Sequence, residues 1–123
     1  MQPYFYTLFV CPFRLIDIPY LRAMYLYNVT VIVADSVRET VLARIESTLA
    51  TLQDHTHLSL LELMDSPHEG TTYCMQLQTD DLDRITAFRD RDLAAFQLAL
   101  NSDFPEQVFF FDSTMKYLQT SDV

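Results

Sequence analysis

Residues 25 to 34, YLYNVTVIVA, constrain the fold more than any other stretch of the chain. Tyrosine and β-branched residues favour a pleated, half-buried strand, whose side chains alternate between two faces. Tyr25, Tyr27, Val29, Val31 and Val33 form one wholly apolar parity, while the other mixes Leu26 and Ile32 with Asn28 and Thr30. Such a strand belongs in the middle of a sheet, with one face under helices and the other partly covered. The segments that follow must then supply its neighbours and its cover.

Directly after it, Ser36-Val37-Arg38-Glu39 has the S-x-x-E spacing of a capping box and predicts a helix start. Val37, Val41, Ile45, Leu49 and Leu52 recur at steps of three and four and carry that helix to about Gln53. Two β-like runs, HLSLLELM (57 to 64) and TTYCMQLQ (71 to 78), flank DSPHEG, which holds Pro67 and the chain's single glycine, Gly70. Proline presets a turn and glycine admits positive φ, so these runs form a hairpin. Thr71, Tyr73, Met75 and Leu77 alternate with Thr72, Cys74, Gln76 and Gln78. One side of the third strand is therefore core and the other polar.

Asp80, Asp81 and Asp83 suit a helix N-terminus, where a side-chain cap and negative charge are both favourable. Leu82, Ile85, Phe88, Leu93, Phe96 and Leu100 follow near helical spacing, with a drift in the stripe around Asp92, and the helix should end near Asn101. QVFFFDSTMKYL (107 to 118) is the last strand, and residues 119–123 are a tail. The order β-α-β-β-α-β is that of the ferredoxin-like α+β fold. Two right-handed crossovers place both helices on one face of a four-stranded antiparallel sheet, with the first and third strands central. We take residues 24–118 as this domain. Met24 opens it so directly that we expect translation to begin there, with residues 1–23 an upstream extension or arm.

The sheet face away from the helices defines the candidate site. By parity it carries Leu26, Asn28, Thr30 and Ile32 from the first strand and Thr72, Cys74, Gln76 and Gln78 from the third. The last strand adds either Val108, Phe110 and Asp112 or the opposite set headed by Phe109 and Phe111, because three consecutive phenylalanines cannot share one face. The candidate cavity or dimer-face residues are Asn28, Thr30, Glu62, Cys74, Gln76, Phe110 and Asp112. A mixed surface of this size is more often covered than bare, so a homodimer with the two sheets face to face is expected.

Met24-Tyr25-Leu26-Tyr27-Asn28-Val29-Thr30-Val31, the helix after it, Gly70-Thr71-Thr72-Tyr73 and the closing phenylalanine-rich strand carry a resemblance. Over about residues 24 to 118 the chain resembles the domain-of-unknown-function family numbered 4286, short bacterial proteins; it departs from them in having no tryptophan in its first helix. The resemblance implies a ferredoxin-like, dimeric α/β-barrel-type protein and transfers no catalytic residue.

Composition narrows the function further. Seventeen acidic against eight basic residues give a net charge of -9, which opposes binding to nucleic acid or to anionic membrane. RNA-recognition motifs share the element order, but TTYCMQLQ lacks the basic and glycine-rich character of their third strand. The run from Tyr4 to Phe13 is neither preceded by basic residues nor long enough to span a bilayer, being followed by Arg14 and Asp17. Cys11 and Cys74 show no disulfide or zinc spacing, which suits a reducing, cytoplasmic setting. His55-Thr56-His57, with His68, Glu69 and Cys74, has nothing that fixes convergence on a metal, so neither metal nor cofactor is expected.

Asn28-Val29-Thr30 matches a glycosylation sequon but lies inside a strand, and Asp90 and Asp92 diverge at i and i+2 of a helix. The expected function is a homodimeric structural, interaction or small-molecule-binding module. The alternative is a cofactor-independent enzyme of the dimeric α/β-barrel type, a small oxygenase or isomerase working between the sheets.

Overall fold

A computed structural model of the protein describes residues 23–52, 57–67 and 69–119. The expectations about a start at Met24 and about residues 120–123 of the tail concern stretches outside these, as do His55 and His68. The elements are β1 (Tyr25–Val33), α1 (Arg38–Leu52), β2 (Leu58–Glu62), β3 (Thr71–Thr79), α2 (Leu82–Ala87), a π-helical segment (Phe88–Leu93), α3 (Ala94–Asp103) and β4 (Val108–Lys116). The sheet order is β2-β3-β1-β4, with every neighbouring pair antiparallel. This is the expected ferredoxin-like arrangement, with β1 and β3 central.

The apolar parity of β1 faces the helices: Val29, Val31 and Val33 are fully buried and Tyr27 nearly so. Tyr73, Met75 and Leu77 of β3 lie beside them by register, and Val41, Ile45 and Leu49 of α1 close over the layer. Gly70 opens β3 with φ +87°, and a Cβ there would collide with the Val33 carbonyl oxygen at the end of β1. That close approach is why the chain's one glycine sits at this turn.

Two local features differ from expectation. Ser36 does not cap α1. Ala34 stays extended, held by its amide to the Gln107 carbonyl at 2.9 Å, and residues Asp35–Val37 form a 3-10 turn before the helix. The Ser36 hydroxyl accepts instead from Gln107 Nε2 at 3.3 Å. Second, α2 and α3 are joined into one continuous helix by the π segment. In a regular α-helix Phe88 and Leu93, five residues apart, would point about 140° from each other at 100° per residue. The wider π turn brings both inward, and both are buried. The drift of the stripe around Asp92 is this insertion, and the helix ends at Asp103, near the expected Asn101. At its start, Asp81 accepts from the Asp83 amide at 2.9 Å, the cap that the acidic cluster predicted.

Candidate functional site

β-Strand register decides which side chains share the open face. From β1 come Leu26, Asn28, Thr30 and Ile32, and opposite them on β3 stand Gln78, Gln76, Cys74 and Thr72. β4 pairs Met115, Ser113, Phe111 and Phe109 with those same β1 residues. β2 sets Ser59 against Gln76 and Leu61 against Cys74. Four of the expected site residues, Asn28, Thr30, Cys74 and Gln76, therefore come together at the centre of this face.

The other three do not. Phe110 stands opposite Val31 and Asp112 opposite Val29, both on the helix side, so β4 adopts the other of its two possible phases. Phe110 packs edge-on against Phe96 of α3, ring centroids 6.3 Å apart. Glu62 pairs with Tyr73 and also falls on the helix side. The open-face residues passed over are Ser59 and Leu61 of β2, and on β4 the set headed by Phe109 and Phe111 is the phase adopted. Their parity is ambiguous in sequence, since LSLLE and VFFF are apolar on both parities.

At the centre of the open face the polar groups are linked. Gln76 Nε2 donates to Asn28 Oδ1 at 3.1 Å, and Asn28 Nδ2 donates to Thr30 Oγ1 at 3.1 Å. Thr30 Oγ1 lies 4.0 Å from the Cys74 thiol, a free cysteine. Toward the edge strands the surface becomes apolar: Phe109 is 51% and Phe111 60% exposed, with Leu61 and Met115 comparably open. Among the described strand residues, none on this face is charged. At one end of the face a cavity of about 190 Å³ is lined by residues including Leu26, His57, Ser59, Gln76, Gln78 and Tyr117.

On the helix side, the Tyr27 hydroxyl donates to Asp112 Oδ2 at 2.6 Å. Burial, and then this bond to a carboxylate, raise the phenol well above the ordinary tyrosine range. Burial first and the Glu62 charge second raise Tyr73 as well. Asp90 and Asp92 each pair with the arginine before them, at 2.9 and 3.2 Å. Among the described residues no group of three or more His, Cys, Asp or Glu side chains could hold a metal ion, and no helix is long and apolar enough to cross a membrane.

The sequence profile of one family, described as Domain of unknown function (DUF4286), matches residues 24–118. The chain belongs to this family. No curated protein matches it. Among solved structures, a dimeric ferredoxin-like protein from an uncultured marine organism is similar at 12% identity and TM-score 0.56, over 80% of this chain and 98% of that one. A protein from Shewanella oneidensis is 17% identical with TM-score 0.55, over 76% and 91% of the two chains. SnoaB, a cofactor-independent oxygenase from Streptomyces nogalater solved as a point mutant, is 16% identical with TM-score 0.52, over 83% and 99%. At these identities the likeness of this DUF4286 chain to them is one of fold.

Proposed function

We propose that this DUF4286 protein is a homodimeric binding or interaction module in which the open sheet faces of two copies meet. The observation that carries this reading is the composition of the face. In a chain of net charge -9, the open face has no charged strand residue and exposes Leu61, Phe109, Phe111 and Met115. Depletion of charge with enrichment in aromatics and methionine is the compositional mark of an interface core, and here it lets two acidic chains meet without opposing charges across the contact. The description of the similar marine ferredoxin-like protein as dimeric supports a dimer here. The free Cys74 thiol on this face suits a reducing, cytoplasmic compartment.

Light scattering on the eluting protein tests the reading directly. The expected mass at micromolar concentration is twice the 14.3 kDa of one chain, and Phe111→Asp returns it to one chain mass. A clean monomer for the unsubstituted protein overturns the reading.

A second reading rests on the linked polar centre. When two such faces meet, Gln76, Asn28 and Thr30 are enclosed rather than packed by hydrocarbon, leaving hydrogen-bonding groups directed at whatever lies between the sheets. A small-molecule ligand, or a substrate for cofactor-free chemistry like that of the Streptomyces nogalater oxygenase, would be held there. A thermal-shift screen with small aromatic acids tests it: stabilisation lost in Asn28→Ala supports it, and no response across the screen removes it.

A further inference from the structure

We propose that the cavity between the π turn and the β4 edge of the sheet binds a small zwitterionic amino acid with a short apolar side chain. The cavity has a volume of about 120 Å³ and is lined by Arg89, Leu93, Ala94 and Gln97 of the helix and by Val29, Phe110, Phe111 and Asp112 of the sheet. That is a small space, which suits a compact ligand such as glycine or alanine.

The π turn makes this space. The Ala94 amide donates to the Arg89 carbonyl, five residues back, and the widened turn sets Arg89 and Leu93 on the side of the helix that faces β4. Such single wide turns recur at functional sites because they re-aim side chains at a cost in helix stability.

Two opposite charges line the cavity without pairing with each other. Arg89 uses its Nε on Asp90 Oδ1 at 2.9 Å, which leaves the terminal nitrogens of its guanidinium as donors. Asp112 is anchored through Oδ2 by the buried Tyr27 hydroxyl at 2.6 Å, which leaves Oδ1 as an acceptor. The Gln97 amide, half-buried in the same lining, has no hydrogen-bond partner among the described residues. A donor fork from the helix and a carboxylate from β4 in one lining complement a molecule bearing both a carboxylate and an ammonium group. Leu93, Ala94 and Phe110 supply apolar wall for a methyl group.

The test is a titration of the ¹⁵N-labelled full chain with L-alanine, followed by amide shifts. The expected result is saturable shifts confined to residues 89–97 and 110–112, with a millimolar dissociation constant in keeping with so small a ligand. Propionate and ethylamine, each carrying half of the charge pattern, bind at least about tenfold more weakly. Arg89→Gln and Asp112→Asn each lower alanine affinity by a similar factor; the asparagine keeps an acceptor for Tyr27, and thermal melts confirm that both variants fold. No saturable response to alanine, shifts that map elsewhere, or propionate binding as tightly as alanine would each overturn the proposal. Phe111 borders both this cavity and the open face, so dimerisation is read separately by light scattering on the same samples.

Discussion

The helix-covered face and the open face of the same four strands differ less in how much hydrocarbon they carry than in where their polar groups sit. Under the helices the centre is apolar, and the buried Tyr27 hydroxyl reaches out to Asp112 on the edge strand. On the open side the order is reversed. Asn28, Thr30, Cys74 and Gln76 occupy the central strands, and Leu61, Phe109, Phe111 and Met115 the edge strands. A monomer's core sends polar atoms to the rim, where water satisfies them. A surface with a linked polar centre and an apolar surround is instead built to be met by another surface, within which the centre is already partly paired.

The sharpest way to break this contrast is to place the same charge on neighbouring residues of β1. Val31→Asp buries an unpaired carboxylate at a fully buried position and should cost more than about 4 kcal/mol, enough to abolish folding. Thr30→Asp puts the charge on the open face, so the monomer should fold and the dimer dissociate. Thermal melts followed by circular dichroism, with light scattering on the same samples, separate the two. If Thr30→Asp unfolds as Val31→Asp does, the open face belongs to the monomer's own core; if it remains a dimer, the second copy binds elsewhere.

Next in size is the pair Phe110→Ala and Phe111→Ala. Phe110 is half-buried against Phe96, and its loss should cost about 2 kcal/mol or more of monomer stability. Phe111 is 60% exposed, and its loss should change monomer stability by less than about 0.5 kcal/mol. Across an interface the same truncation is worth about 1 to 3 kcal/mol, a ten- to hundredfold weaker association. Urea melts at low and high protein concentration distinguish these, since only Phe111→Ala should alter the concentration dependence.

These two phenylalanines also show how far the sequence could be read. The parity of β1 is unambiguous because Asn28 and Thr30 interrupt only one side, and the clean alternation of TTYCMQLQ places Cys74 and Gln76 beside them. That was enough for the element order, the central strands and the middle of the site. In VFFF and LSLLE both parities are apolar, so their phase is set by pairing: Val108 to Val33 in one case, Leu58 to Leu77 in the other. Nothing local to those runs encodes it, and Phe110, Asp112 and Glu62 consequently lie on the other face from the one expected. The π turn left a trace, the five-residue step from Phe88 to Leu93, but its cavity depends on β4, far away in sequence.

A smaller effect isolates the polar group under the helices. Tyr27→Phe removes the bond to Asp112, whose carboxylate can turn to water, so the loss should be about 1 kcal/mol at neutral pH. The sign of its pH dependence follows from the raised phenol. Above the unfolded tyrosine value near 10 the unfolded chain releases this proton while the folded one keeps it, so stability is fully present below that pH and falls above it. The slope from this group is at most about 1.4 kcal/mol per pH unit. Urea melts between pH 8 and 11 should show the unsubstituted protein declining faster than Tyr27→Phe above about pH 10. Parallel declines would mean that the Tyr27 proton is not held by the fold.

The smallest effect asks whether the open-face centre is wet or enclosed. Asn28 accepts from Gln76 and donates to Thr30. In a monomer, Asn28→Ala leaves both partners free to bond with water, and the loss should be about 0.5 kcal/mol. Between two sheets the same groups are desolvated, and leaving them unpaired costs about 1 to 3 kcal/mol. A double-mutant cycle of Asn28→Ala with Gln76→Ala, run both in the dimer and in the Phe111→Asp background, reads the difference as a coupling energy. A larger coupling in the dimer means that the second copy excludes water from Asn28, Thr30 and Gln76. Equal coupling means that the two copies meet through the edge strands around a solvent-filled centre, which leaves room there for a ligand.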